Sequence, residues 1–119
     1  MASGTYPKYA DGTDSGWLVA TPKSEATYNG TINYRKVGNL VTVKFQFNNV
    51  TANQSIANLP SGYRPTSDVF TPAIVGYPLY KVVGFVRFYS GGSIQVQITP
   101  DVTVGANGQY YGYVSFYTD

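Results

Sequence analysis

Between Thr31 and Phe47 the chain alternates apolar and polar residues on both sides of one two-residue interruption, Gly38-Asn39. A period of two is what a strand with one dry face and one wet face requires. Gly-Asn between two such runs suits a type I′ or II′ turn. Closing the turn with Val37 opposite Leu40 sets Tyr34 against Val43 and Ile32 against Phe45. The other face then carries Arg35 with Thr42, Asn33 with Lys44 and Thr31 with Gln46. A slip of one residue would turn the apolar set to water, so the pattern specifies this register.

A second hairpin is read from Val86-Arg87-Phe88-Tyr89, the glycine-rich Ser90-Gly91-Gly92-Ser93, and Ile94-Gln95-Val96-Gln97-Ile98. An even loop would pair Phe88 with Gln95 and mix the faces. A three-residue loop with a left-handed glycine puts Val86 and Phe88 with Ile94, Val96 and Ile98. Arg87, Tyr89, Gln95 and Gln97 then share the opposite face. Further strands are expected over Gly16 to Thr21, Val69 to Val75, Leu79 to Val83 and Tyr110 to Tyr117, with Gly76-Tyr77-Pro78 as a break. In the last of these, Gly112, Val114 and Phe116 form one face and Tyr111, Tyr113, Ser115 and Tyr117 the other.

The remaining composition agrees. Val, Ile and Thr total 31 residues against 13 for Leu, Met and Ala, and there is one Glu. β-branched residues fit a pleated sheet, and the good helix formers are scarce. The expected fold is all-β, an antiparallel barrel or sandwich of short strands with Greek-key or jelly-roll connections. At 119 residues the chain makes one domain. Residues 1–15 are polar and read as an extended linker or the end of a stalk; 16–119 read as the β domain. Met1-Ala2-Ser3-Gly4 lacks the apolar stretch of a signal peptide. No apolar run is long enough for a membrane helix.

Histidine and cysteine are absent, which removes the usual neutral-pH base, the thiolate nucleophile and the usual soft metal ligands. The six acidic residues, Asp11, Asp14, Glu25, Asp68, Asp101 and Asp119, fall in expected loops or near the termini. A glycosidase needs two carboxyl groups fixed across a cleft, and no strand pattern holds such a pair. The expectation is a protein without catalysis, cofactor or metal. Net charge is +2 with no basic run, too little for an electrostatic footprint on nucleic acid. Charged residues make up only 12%, while there are 12 Tyr, 12 Thr, 9 Ser and 8 Asn. Tyrosine-rich surfaces of this kind make directional contacts at low entropic cost.

Ile56-Ala57-Asn58-Leu59-Pro60-Ser61-Gly62-Tyr63-Arg64-Pro65 resembles the L-P-x-G-Y-R-P segment of C-terminal domains in phage tail fibres and receptor-binding proteins. Tyr34 to Val43 resembles the hairpin that precedes that segment, and Gly16-Trp17 and the aromatic last strand also fit. The resemblance spans roughly residues 16 to 119 and is greatest to the head domain of receptor-binding proteins from siphophages of lactococci and related Gram-positive bacteria. It implies a compact barrel that assembles as a homotrimer and sits at the distal tail or baseplate of the virion. It implies attachment to host cell-wall polysaccharide without catalysis, and contact with other tail proteins through a region N-terminal to this one. The alternatives are a wall-polysaccharide hydrolase and a purely structural tail component. Family saccharide sites use Trp with His, Asp or Arg; with no His and a single Trp, no site carries over residue by residue.

Saccharides are held by amide and charged groups on their hydroxyls and by a ring against an apolar sugar face. The candidates with that chemistry are Arg87, Tyr89 and Gln95 on the second hairpin, Asp101 just beyond it, Tyr110 and Tyr111 opening the last strand, and Trp17. Arg87, Tyr89 and the Tyr111 face suit a subunit interface nearly as well. Tyr63 and Arg64 read as residues that pin the Pro60-Ser61-Gly62 turn to the barrel rather than as sugar ligands.

Overall fold

The computed structural model describes residues 14–118. They form β1 (Leu18–Val19), β2 (Thr21–Pro22), β3 (Asn29–Val37), β4 (Leu40–Asn48), β5 (Gln54–Asn58), β6 (Val69–Tyr77), β7 (Lys81–Phe88), β8 (Ser93–Ile98) and β9 (Gln109–Tyr117), with no helix among the described residues. Every pairing is antiparallel, and the strands follow the order β1-β3-β4-β9-β6-β7-β8-β5-β2. The two ends of that order are neighbours in sequence. The chain pairs with Tyr34 and Asn33 through Leu18 and Val19, bends at Ala20, and pairs with Asn58 and Ala57 through Thr21 and Pro22. One short bent segment thus nearly closes the sheet into a barrel and leaves few free edges. The sequence reading of Gly16 to Thr21 as one strand is replaced by two short ones, Leu18–Val19 and Thr21–Pro22, with different partners.

The β3–β4 hairpin has the register the alternation specifies at every position from Thr31↔Gln46 to Val37↔Leu40. Ile32, Tyr34, Val41, Val43, Phe45 and Phe47 point inward and are buried. The β7–β8 hairpin closes by the odd loop: the Tyr89 amide donates to the Ser93 carbonyl, and the Gly92 amide to the Tyr89 carbonyl. Gly92 has φ +101°, and Phe88↔Ile94 and Val86↔Val96 pair on the buried face. β9 turns Tyr110 and Phe116 inward and Tyr111, Tyr113 and Tyr117 outward, as its alternation implies. The interior is filled by rings and β-branched residues, with Phe47 stacked on Tyr110 at 5.0 Å and Phe88 tilted on Phe116 at 6.1 Å. Each fully buried side chain of this size contributes roughly 1.5–3 kcal/mol.

Two strands depart from the sequence reading. Leu79 to Val83 and Val86 to Tyr89 were expected as separate strands but form the single β7, which runs through Gly84. The register with β6 shifts from Ala73↔Gly84 to Ile74↔Val82, a bulge that interrupts the alternation. Gly84 lies against the Gln97 carbonyl, where a Cβ has no room, so glycine here marks close strand contact rather than a break. β5 was not anticipated. Its bulge between Ser55 and Ala57 buries Ile56 and Ala57 in succession, which hides the period of two.

The Leu59 to Pro65 segment is fastened to the barrel by its own contacts. Its turn closes by the Tyr63 amide on the Pro60 carbonyl, 3.1 Å. Leu59 accepts from Arg64 Nε at 2.9 Å and donates its amide to the Gly92 carbonyl at 2.8 Å. Tyr63 meets Tyr34 edge to face at 5.0 Å, and Lys36 Nζ donates to the Gly62 carbonyl. Residues 1–13, most of the expected linker, lie outside the described residues. Asp14 and Ser15 are tied to β3: the Ser15 amide donates to the Lys36 carbonyl, and the Lys36 amide to Ser15 Oγ.

Candidate functional site

The outward positions of β3, β4 and β9 line up in rows across the three strands. One row is Thr31, Gln46 and Tyr111; the next is Asn33, Lys44 and Tyr113. These six side chains line an open groove of about 590 Å³. The alternation that sends Phe45 and Phe47 into the core sends Lys44 and Gln46 into the groove, so one pattern builds both. Tyr111 and Tyr113 are 42% and 66% exposed, which leaves much of each ring free for a partner. Between them Gly112 faces inward, and the Phe45 ring fills the space beneath it. Tyr111 in turn sets one edge of its ring against Gly76 of β6, where a Cβ would stand 2.7 Å from Tyr111 Cε2.

Trp17 adds an indole at the far side. It immediately precedes β1, and the Lys44 ammonium lies 4.2 Å from its ring centroid. The Arg35 guanidinium lies 5.9 Å from the same ring. Arg35 is fixed by Asp14 in a two-point contact, Nε to Oδ1 at 2.9 Å and Nη2 to Oδ2 at 2.6 Å. That contact, with the Gly16 amide on Oδ1, holds the Asp14 carboxyl down at about 2. Among the described residues the ion pairs are Arg35–Asp14 and Arg87–Asp68. Lys44 has no carboxylate partner there and lies against the Trp17 ring instead.

The groove therefore offers an ammonium, two amides, a threonine hydroxyl and three rings on a rigid three-stranded floor. That is the mixture that binds polyhydroxylated ligands: directional groups for hydroxyls and flat apolar faces for C–H surfaces. Among the described residues no group of three or more His, Cys, Asp or Glu side chains gathers to hold a metal ion.

The chain matches no protein-family model, no curated protein and no solved structure.

Of the residues singled out from sequence, Tyr111 lines this groove and Trp17 stands beside it, against Lys44. Arg87, Tyr89 and Gln95 come together elsewhere, on the outer face of β7 and β8. Their polar groups answer one another. Arg87 binds Asp68 Oδ2 through Nη2 at 2.6 Å and Nε at 3.2 Å, and its guanidinium lies 4.2 Å from the Tyr89 ring and 5.0 Å from that of Phe70. Tyr89 donates to Gln95 Oε1 at 2.7 Å. The Ser90 amide on Oδ1, followed by Arg87, lowers the Asp68 carboxyl below its usual range, and Asp68 raises the Arg87 guanidinium. Asp101 is exposed in the turn after β8. Tyr110 must be removed from any site: it is fully buried, and its hydroxyl donates to the Val50 carbonyl at 2.7 Å. Burial pushes that phenol up to about 12. The period of two explains the error, because neighbours such as Tyr110 and Tyr111 cannot share a face.

Thr31, Asn33, Lys44, Gln46 and Tyr113 were not read from sequence as site residues. Their shared polar face was legible in the hairpin register. What the sequence does not carry is that β9 pairs with β4 and brings two tyrosines beside it.

Proposed function

We propose that this chain is a saccharide-binding domain without catalysis, the receptor-binding head of a phage tail that attaches to the cell-wall polysaccharide of a Gram-positive host. The observation that carries the binding reading is the groove of Asn33, Lys44, Gln46, Tyr111 and Tyr113 with Trp17 at its edge. The phage assignment rests on the resemblance of the Leu59 to Pro65 segment and its preceding hairpin. Action at the distal tail of the virion, with other tail proteins as neighbours, belongs to the same assignment.

Homotrimer assembly is part of the proposal. Its support is an exposed apolar surface on β6 and β7, where Phe70, Ile74 and Val82 are 54%, 41% and 57% exposed. Exposed apolar side chains of this kind are suited to burial against another protein, and beside Phe70 the charges of Arg87 and Asp68 are paired with each other. Multi-angle light scattering is expected to give three times the chain mass; a single-chain mass removes the trimer.

The deciding experiment is a binding assay with fluorescently labelled protein on Gram-positive cells and on polysaccharide purified from their walls. Saturable binding to both is expected, without new reducing ends. Release of reducing ends would make the chain a hydrolase, and absence of all glycan binding would make it a structural component.

A further inference from the structure

The groove does not stop at Tyr111. Beyond it β6 bulges: Val75 pairs with Tyr110, but the next partner of β9 is Tyr77, opposite Gln109, so Gly76 is the extra residue. Tyr111 sets one edge of its ring against that bare glycine. Gln109 is two positions from Tyr111 and shares its face. Tyr77, set beside Gln109, is 58% exposed and meets Tyr80 edge to face at 6.1 Å. Tyr80 is 73% exposed and has φ +54°, a conformation that side chains larger than glycine adopt at a cost. Among the described residues Tyr80 is not one of the hydrophobics packed against the core. Amides and rings thus continue in one line from Asn33 and Lys44, through Gln46 and Tyr111, to Gln109, Tyr77 and Tyr80. From β3 to β6 this line crosses three interstrand spacings, roughly 14 Å, before it reaches the Tyr77–Tyr80 pair.

Resting on the saccharide reading, we infer that the ligand is an extended run of a polysaccharide, held by internal units along this line rather than by one terminal sugar. The Trp17–Lys44–Tyr111 groove takes one part of the run. The Tyr77–Tyr80 pair at the β6–β7 turn takes units further along. Gly76, bare of a side chain, makes room for the Tyr111 ring beside β6, so that the run passes along that ring. Tyr80 holds its strained conformation because that is what stands its ring upright against Tyr77.

The test uses polysaccharide purified from the wall of a strain to which the labelled protein adheres, cut by mild acid into size-graded fragments. Affinity of the unmodified protein is expected to rise about tenfold or more from the shortest binding fragments to those several units longer. Tyr77→Ala and Tyr80→Ala are expected to bind short fragments normally and to lose most of that rise. Tyr80→Gly relieves the backbone, so its expected loss of length dependence occurs in a chain at least as well folded. Equal affinity for all fragments, or variants that keep the length dependence, overturns the extended site and leaves the groove as a binder of single units. Failure of the intact polysaccharide and every fragment to bind overturns the saccharide reading itself.

Discussion

The ring of Phe45 lies where a side chain at position 112 would have to stand. Two facing strands, β4 and β9, are joined at that pair, Phe45↔Gly112. Gly112→Ala must displace the ring or part the strands. Over-packing of this kind costs roughly 1–3 kcal/mol, and a urea titration of Gly112→Ala is expected to show a midpoint lowered accordingly. Phe45→Leu in the same chain is expected to return part of the loss, since contacting residues do not act additively.

The hydroxyl of Tyr110 supports the loop after β4 from inside the barrel, through the Val50 carbonyl. Tyr110→Phe leaves that carbonyl unpaired and is expected to cost roughly 1–3 kcal/mol by denaturant unfolding. The folded phenol is raised to about 12 from 10.0. The unfolded chain therefore loses this proton first as pH rises, and the contribution is present below pH 10 and lost between pH 10 and 12. Unfolding midpoints measured across that interval should fall more steeply for the unmodified protein than for Tyr110→Phe.

Asp14 fastens the approach to Trp17 through Arg35. Its carboxyl is lowered from 3.8 to about 2. A lowered carboxyl stabilises above its unfolded value, and the effect is lost as pH falls through the folded one. The clip is thus expected to hold at pH 4 and to release near pH 2. Side-chain carboxyl NMR shifts of Asp14 should report the midpoint, and Trp17 emission should change with it. The pair is exposed, so high salt should weaken the coupling.

Trp17→Ala and Tyr111→Ala are expected to weaken binding to wall polysaccharide by about tenfold each, or about 1.4 kcal/mol, with the fold intact by circular dichroism. Arg87→Ala is expected to leave the same affinity unchanged, because its donors are engaged by Asp68 and its plane by Tyr89 and Phe70. The reverse pattern in a titration of the three variants would move the site to the β7–β8 face.

Lys44→Ala removes the ammonium over Trp17 but not the groove floor. Trp17 is the only indole, so its emission reports this contact directly. A spectral change with no shift in the urea midpoint is expected, together with weaker polysaccharide binding.

Local pattern made the hairpins legible. The 31–47 register and the Gly92 loop follow from alternation and turn chemistry alone, because neither depends on distant parts of the chain. Bulges were not legible. At Ile56-Ala57 and around Gly84 an extra residue breaks the period, and the sequence then looks like a turn or a gap. The site was half legible for a related reason. Trp17 and Tyr111 carry saccharide chemistry by type, whereas Lys44 and Gln46 look like ordinary solvated strand positions until β9 is beside them. Arg87 was singled out for its charge, but Asp68, nineteen positions earlier, had already claimed it.

The pairing of β4 with β9 also sets a clock. It joins Phe47 to Tyr110 and Leu40 to Tyr117, so more than sixty residues must be gathered before the first of these contacts forms. Closures of that span make β folds slow, on the scale of milliseconds to seconds, where a hairpin takes microseconds. The β3–β4 hairpin can arise early, yet it supplies only one wall. During synthesis the other wall, with Tyr111 and Tyr113, emerges only after β3 to β8. The groove is consequently all-or-none: it exists only once β9 has docked on β4, however early the hairpin forms.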